Sequence, residues 1–157
     1  MSSARDTMRT LAIDLGARRV GLALSDEGGR YATPLDVLTV ASPQDALTQI
    51  LPTLTKEGVH QIVLGLPLNM DDSLGPAARA TIAWGQSLSA TSGLPVLYID
   101  ERLSTFAAEQ TLLERKRAGE KLTRGRKKEQ LDAVAAAGFL QQFLDGQLQP
   151  LDIQSFT

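Results

Sequence analysis

The sequence predicts an α/β fold with one mixed, five-stranded β-sheet flanked by helices. Three short apolar runs follow one another early in the chain, at residues 11–13, 20–24 and 31–40. Two further apolar runs, at residues 60–66 and 95–99, alternate with helical patterns. Strands joined by short turns are antiparallel, whereas strands separated by a helix are usually parallel. We therefore expect a sheet with an antiparallel side and a parallel side.

The first two runs and the residues between them predict a β-hairpin, with the sequence LAIDLGARRVGLALSD. Its loop should contain about three to five residues. Asp14 stands near the bend, where strand backbone holds a carboxylate rigidly, and Gly16 lacks a Cβ and allows a phosphate or a metal to approach closely. Metal-dependent phosphodiester cleavage and ATP binding both use such an acid. Asp14 could also only close the turn through an Asx hydrogen bond.

The third run contains Pro34, which predicts an edge strand or a bulge. Ser42 and Pro43 have the order of an N-cap followed by N1, so a helix should begin there and end at Gly58. Pro52 should kink or shorten that helix.

Three more helices are predicted after the fourth run. They cover residues 76–91, a segment capped at Ser104 or Thr105 that continues to about residue 117, and residues 127–144. A loop should occupy residues 119–125. We expect one domain over residues 1–146 and a loosely ordered C-terminal tail over residues 147–157.

The bulk composition is that of an ordinary globular protein. The chain has 157 residues, 43% of them hydrophobic and 22% charged, and no cysteine. No apolar run approaches the roughly 18 residues of a membrane span, and residues 1–10 lack the pattern of a signal peptide. We therefore expect a cytoplasmic protein without a membrane partner.

The charge is distributed unevenly along the chain. The formal net charge is −2, yet residues 114–128 carry eight Lys and Arg against two Glu, a local +6, so that the other residues total −8. Such a segment is commonly a solvated loop, and it can also attract a phosphate backbone in a salt-dependent way without reading its sequence.

Three acids should converge at one edge of the sheet. Asp14 and Glu101 each end a predicted strand, where ligands of open α/β sheets collect. Asp132 shares a stripe of the last helix with Ala136 and Phe139, and small residues around it should let the helix lie close to the sheet. A carboxylate buried there needs a cation, either a neighbouring Lys or Arg or a bound metal. Three carboxylates should raise one another's pKa values and suit Mg²⁺ or Mn²⁺, whereas a single His and no Cys make zinc improbable.

Each candidate also has a plainer interpretation. Asp100 could be the active acid in place of Glu101, or Glu101 could pair with Arg102. Asp132 could only favour the dipole at the start of its helix. Asn69 could be a turn residue and Ser104 only a helix cap. His60 and Trp84 are expected to be structural.

Four segments of the chain resemble one known family. These are LAIDLGARRVGLALSD, IVLGLPLNMDDSLGP, YIDERLST and RKKEQLDAVAAAGFLQQFLD, in that order and over most of the chain. They are similar to the YqgF/RuvX family, whose members are named as Holliday junction resolvases or as nucleases of pre-16S rRNA.

The resemblance implies an RNase H-like fold, divalent-metal dependence, and cytoplasmic nuclease activity on branched DNA or precursor rRNA. It places Asp14, Glu101 and Asp132 on the acidic motif positions, as catalytic residues and metal ligands. Better-known resolvases carry an acid at the end of the fourth strand, whereas this chain has Gly65 and Leu66 there, so Glu101 must substitute. We expect nucleic acid to contact Arg18, Arg19, Asn69, Arg102, Lys121, Arg124, Arg126, Lys127 and Lys128.

Two other functions compete with a nuclease. The fold could serve a non-catalytic RNA-binding or ribosome-assembly protein, which the missing fourth-strand acid makes plausible. An actin-like or sugar-kinase-like ATPase would need a second phosphate-binding hairpin and a second lobe, and neither is visible. The sequence does not separate DNA junctions from precursor rRNA. A resolvase that cuts two strands symmetrically would be expected to act as a homodimer.

Overall fold

A computed structural model describes residues 8–101 and 124–156 of the chain. Its centre is one five-stranded sheet in the order β3-β2-β1-β4-β5. The strands are β1 (Thr10–Leu15), β2 (Arg19–Ser25), β3 (Ala32–Thr39), β4 (Gln61–Leu66) and β5 (Val96–Asp100). β1, β2 and β3 are antiparallel to their neighbours in sequence, whereas β1, β4 and β5 are parallel. The predicted mixed sheet is confirmed.

The turns of the antiparallel side follow the local chemistry of the sequence. The hairpin between β1 and β2 has a three-residue loop, closed by the Gly16 amide, which donates to the Arg19 carbonyl at 3.0 Å. β3 is an edge strand, and its pairing with β2 shifts register between Leu22 and Ala23, where Pro34 lies opposite Ala23. Proline has no N–H for the ladder, so it is tolerated at such an edge and bulge, as predicted.

Among the described residues, three helices cover the two faces of the sheet: α1 (Pro43–Lys56), α2 (Pro76–Ser92) and α3 (Arg124–Leu144). Ser42 Oγ caps α1 by accepting from the Asp45 amide at 3.1 Å, as expected. Of the kink or shortening expected at Pro52, the shortening is wrong, because α1 continues to Lys56, next to its predicted end at Gly58. Proline removes only one hydrogen bond of the helix, while Ile50 and Leu54 are buried on either side of it.

α3 begins three residues earlier than predicted, so residues 124 and 125 belong to a helix and not to the expected loop. The helix predicted over residues 104–117 lies outside the described residues.

The two faces of the sheet differ in the size of their side chains. The face under α1 and α2 carries large aliphatic residues, among them Leu11, Ile13 and Leu64. The face under α3 carries Ala12, Ala23 and Val63 with Ile99, packed against Ala136, Phe139 and Leu140 of the helix. Small strand residues let α3 lie close to the strands, which brings its backbone next to the sheet.

The segment after α3 is packed against the domain, contrary to the expected loose order. Leu148 is buried in the core beneath α3, and the Leu151 amide donates to the Tyr98 carbonyl at 2.6 Å. A 3-10 helix, Ile153–Phe156, follows. Within residues 8–101 and 124–156, no helix has the length and apolar character needed to cross a lipid bilayer.

Candidate active site

Asp14 lies in β1 between two glycines of the neighbouring strands. It is paired in register with Gly21 of β2. On the other side, Ile13 pairs with Leu64 of β4, so the next step of the register places Asp14 beside Gly65. Side chains alternate along a strand, and Asp14 therefore projects from the same face as Ala12, toward α3. With no side chain on either neighbour, both flanks of Asp14 are open to other groups.

On the β2 flank, the backbone of α3 occupies the space above Gly21. A Cβ on Gly21 would lie 2.1 Å from the carbonyl oxygen of Asp132 and 2.9 Å from the amide nitrogen of Ala133. These distances are far inside van der Waals contact, so only glycine permits this approach of helix and strand. The contact places Asp132 over the hairpin, as the stripe of the last helix predicts.

On the β4 flank, the side chain of Glu101 occupies the space above Gly65. A Cβ on Gly65 would lie 2.8 Å from Glu101 Oε2 and 3.1 Å from a ring carbon of Phe139. Glu101 directly follows β5, and its amide donates to the Leu66 carbonyl at 3.3 Å. β4, which lacks an acid at its end, thus provides room for Glu101, which follows β5.

Asp14 and Glu101 form a hydrogen-bonded carboxyl pair. Burial, followed by the charge of Asp14, raises the pKa of Glu101 to about 8. Burial also raises the pKa of Asp14 to about 6, against the lowering effect of its hydrogen bond with Glu101. Near pH 7 Glu101 is therefore protonated, and its O–H donates a hydrogen bond to the Asp14 carboxylate. Such a pair, buried at the edge of a sheet, is typical of a functional site.

Asp132 stands near this pair but faces a different partner. Its Oδ2 lies 3.1 Å from Arg19 Nε. The same oxygen is fully buried and receives no hydrogen bond from the described residues, so the N–H of Arg19 is not aligned with it and the contact is an ion pair. Burial raises the pKa of Asp132, and the Arg19 charge lowers it in part. Of the two cations that the sequence left open for this acid, a neighbouring arginine is present.

The three acids are neighbours, but their side chains do not form a metal-binding cluster. In the part of the chain that the structure describes, no three His, Cys, Asp or Glu side chains are grouped closely enough to hold a metal ion. Asp14 and Glu101 are in contact, and the Asp132 charge raises the pKa of Asp14. All three pKa values are raised, in each case chiefly by burial, and the charge of another carboxylate contributes at Asp14 and Glu101 but not at Asp132.

Comparison with known proteins identifies the family. The family model described as "RuvX: Holliday junction resolvase" matches residues 8–146. The chain belongs to the RuvX family. Membership makes it a nuclease, a hydrolase of phosphodiester bonds, of the class of Holliday junction resolvases.

Two relatives illustrate the similarity, and both carry the name "Putative pre-16S rRNA nuclease". The protein from Rhizobium rhizogenes is 46% identical over 134 residues, which are 85% of this chain and 78% of the relative. The protein from an Anaeromyxobacter species is 46% identical over 139 residues, which are 88% of this chain and 98% of the relative.

Solved structures share the fold of this RuvX-family chain. The Thermus thermophilus RuvC in complex with a Holliday junction substrate has a TM-score of 0.57 at 20% identity, over 92% of this chain and 99% of that one. The fowlpox virus Holliday junction resolvase has a TM-score of 0.54 at 11% identity, over 88% and 99%. The predicted RNase H-like fold is confirmed.

The predicted nucleic-acid contacts lie in different parts of this RuvX-family chain. Arg18 and Arg19 lie at the β1–β2 hairpin beside the acids, although Arg19 is engaged with Asp132. Asn69 is built into the loop after β4, where its Nδ2 donates to Ser73 Oγ at 3.0 Å, so it is at least a turn residue. Arg102 and Lys121 lie outside the described residues, and Arg124, Arg126, Lys127 and Lys128 lie in the first turns of α3.

Two plainer interpretations of single residues are also confirmed. Trp84 is a core residue whose Nε1 donates to the Pro43 carbonyl at 2.9 Å. His60 Nδ1 accepts from the Arg9 amide at 3.2 Å, a structural contact between the starts of β1 and β4. Both outcomes agree with the sequence-based expectation.

Sequence reasoning missed the two glycines and the role of Arg19. Gly21 and Gly65 interrupt strand patterns, and an isolated glycine in a strand marks a close approach of backbone or ligand. That rule could have indicated both positions. The pairing of Arg19 with Asp132 has no comparable mark, because the two residues are far apart in the sequence and meet only when α3 packs on β2.

Proposed function

We propose that this RuvX-family chain hydrolyses phosphodiester bonds in nucleic acid at the sheet edge formed by Asp14, Glu101 and Asp132, with the help of Mg²⁺ or Mn²⁺. The observation that carries the proposal is the buried pair of Asp14 and Glu101, which share a proton at the ends of two parallel strands. Burying two carboxyl groups side by side destabilises the folded chain, so the pair has a use other than stability.

Each acid has a distinct setting in this proposal. Asp14 lies within β1, where it is paired with Gly21 of β2, one residue after the last pair of β1 with β4. Glu101 reaches over Gly65 from the end of β5 and is the group that gains or loses a proton near neutral pH. Asp132 closes the site from α3, with a side chain that is still 29% exposed and therefore accessible to a substrate.

The donor set suits a hard divalent cation. All three groups are carboxylates, and one buried oxygen of Asp132 receives no hydrogen bond within the described ranges. Oxygen ligands of this kind are preferred by Mg²⁺ and Mn²⁺. Asp14, Glu101 and Asp132 would hold the ion, which in such sites neutralises phosphate charge and activates water.

The substrate is proposed to be precursor 16S rRNA near its 5′ end, branched DNA, or both. The names of the relatives favour the rRNA, and the family description favours the junction. Arg18 at the exposed hairpin and the basic start of α3 would draw a phosphate backbone to the acids. A cytoplasmic location and a homodimer belong to the same proposal.

The decisive experiment compares cleavage of four-way DNA, flap DNA, single strands and precursor rRNA, each with Mg²⁺ and with Mn²⁺. We expect Asp14→Asn and Glu101→Gln to abolish cleavage. Asp100→Asn is the matched control, because strand alternation directs Asp100 to the face opposite Glu101. Its cleavage should stay within about threefold of wild type, corresponding to less than about 1 kcal/mol in the barrier.

The outcomes separate the functions. Loss of activity in Asp100→Asn with full activity in Glu101→Gln would assign the acid to Asp100. Salt-sensitive RNA binding without turnover in any metal would favour the non-catalytic binding protein. Unchanged cleavage in Asp14→Asn would overturn the proposed site.

A further inference from the structure

Arg19 forms an ion pair with Asp132. This contact indicates a role for Arg19 in addition to the binding of nucleic-acid phosphate. We propose that Arg19 is a positioning residue that competes with the divalent cation for Asp132, so that the cation must displace the guanidinium before all three acids can act together. The inference rests on the proposed function, because it assumes that Asp132 is a metal ligand.

The contact has the features of an exchangeable pair. Arg19 Nε lies 3.1 Å from Asp132 Oδ2, an oxygen that is fully buried and has no hydrogen-bond donor among the described residues. A carboxylate oxygen in that position requires a positive charge. The guanidinium supplies the charge without an aligned hydrogen bond, so it satisfies the electrostatic requirement more weakly than a bidentate contact would.

The Arg19 side chain is also able to move away from Asp132. Its side chain is 42% exposed, and it is the first residue of β2, directly after the hairpin loop. A long side chain at that place can rotate into solvent while its backbone stays in the strand. The Asp132 backbone, in contrast, is fixed against Gly21. The arrangement therefore has one fixed partner and one mobile partner.

The proximity of the acids explains why the exchange matters. The charge of Asp132 raises the pKa of Asp14, so the two carboxylates sense each other across the site. In the described part of the chain, the three acids do not enclose a metal position. As long as Arg19 Nε lies 3.1 Å from Asp132 Oδ2, the guanidinium charge occupies a place beside that oxygen which a cation would need.

The test is Mn²⁺ binding to the full chain without nucleic acid, measured by calorimetry and by the electron paramagnetic resonance of free Mn²⁺. An ion pair of this exposure changes an equilibrium constant by a factor of about two to five. We expect Arg19→Gln to bind Mn²⁺ about two- to fivefold more tightly than wild type, and Arg19→Lys to lie between them.

Two controls isolate the contact. Arg18→Gln removes the same charge one residue earlier, from a side chain for which the described structure contains no ion pair, and should change the Mn²⁺ affinity less than Arg19→Gln. In an Asp132→Asn background, Arg19→Gln should no longer change the Mn²⁺ affinity, since the coupling of the two residues is removed. Circular dichroism checks that each variant is folded.

The results distinguish this inference from the proposed function. Unchanged or weaker Mn²⁺ binding in Arg19→Gln would overturn the exchange, because weaker binding is the result of a residue that only holds Asp132 in place. If wild type and all variants bind no Mn²⁺ and cleave nucleic acid without any divalent ion, the metal-dependent function itself fails.

Discussion

The two flanks of Asp14 begin with the same sequence feature and use it differently. Gly21 on β2 makes room for the backbone of α3, whereas Gly65 on β4 makes room for the side chain of Glu101 and the ring of Phe139. Backbone in a helix moves only with the whole helix, but a side chain can rotate. The loss of stability on replacing a strand glycine thus depends on the atoms that lie above it and not on the backbone conformation of the glycine itself.

The largest effect is expected from Gly21→Ala. The new methyl group would lie 2.1 Å from the Asp132 carbonyl oxygen, so α3 must move away from the sheet. Overpacking of this kind lowers the free energy of unfolding by about 1–3 kcal/mol, and we expect the upper end of this range or beyond because the obstacle is backbone. Urea denaturation monitored by circular dichroism measures the change.

Gly28→Ala is the matched control for that substitution. The nearest atom to its added Cβ is Asp26 Oδ2 at 3.6 Å, an ordinary contact. We expect a change within about 0.5 kcal/mol, as at most surface positions. Equal effects of the two alanines would contradict the close approach of α3 to β2.

A smaller loss of stability and a large loss of cleavage are expected from Gly65→Ala. The methyl group would meet Glu101 Oε2 at 2.8 Å and Phe139 at 3.1 Å, and both side chains can shift. We expect about 1–2 kcal/mol lower stability. Cleavage should fall at least about 100-fold, since misplacing a catalytic group by an ångström has that effect.

A second substitution sharpens this comparison. Phe139→Leu removes the ring carbons nearest to Gly65, so it should make Gly65→Ala less destabilising in the double variant than in the single one. A double-mutant cycle on unfolding free energies measures the coupling. The same Phe139→Leu change should not rescue Gly21→Ala, and rescue of both would show that the two flanks are not separate.

The pH dependence of stability tests the carboxyl pair on the β4 flank. Glu101 and Asp14 have pKa values of about 8 and about 6 in the folded chain, against ordinary values of 4.5 and 3.8. At a pH between the ordinary and the folded pKa of each group, the folded chain binds more protons than the unfolded chain. The free energy of unfolding therefore decreases as pH rises from about 4 to about 8. The melting temperature should therefore fall over the same pH range.

Removing the titrating group should flatten that decrease. Glu101→Gln keeps the shape of the side chain but cannot ionise, so its melting temperature should depend less on pH and exceed the wild-type value at pH 8. Asp36→Asn, on the exposed edge strand β3, should retain the wild-type slope. A slope that is the same in all three chains would argue against the buried carboxyl pair.

Local chemistry made most of the fold predictable. The Ser42 cap, the hairpin at Gly16 and the edge position of Pro34 each depend on a few adjacent residues, and all three were confirmed. The bounds of α1 were predicted, but the expected shortening at Pro52 and the loose order of the tail were wrong, because tertiary contacts outweigh the local effect of Pro52 and the polar character of the tail.

The candidate site was predictable only in part, for a similar reason. Asp14, Glu101 and Asp132 could be named from strand ends and one helical stripe. Their grouping depends on strand register, which places Gly21 and Gly65 on either side of Asp14. The Arg19 contact depends on how closely α3 approaches β2, a distance set by residues that are remote in sequence.

The place of Glu101 above Gly65 means that one small volume can be filled from either of two strands. An acid at position 65 and an acid at position 101 would compete for that volume, so each excludes the other. Within such a fold, a functional group can pass from one strand to its neighbour by two paired substitutions, with no change to the sheet. A sequence alignment would then show an acid lost from one column and an acid gained in another, although the carboxylate had kept its position in space.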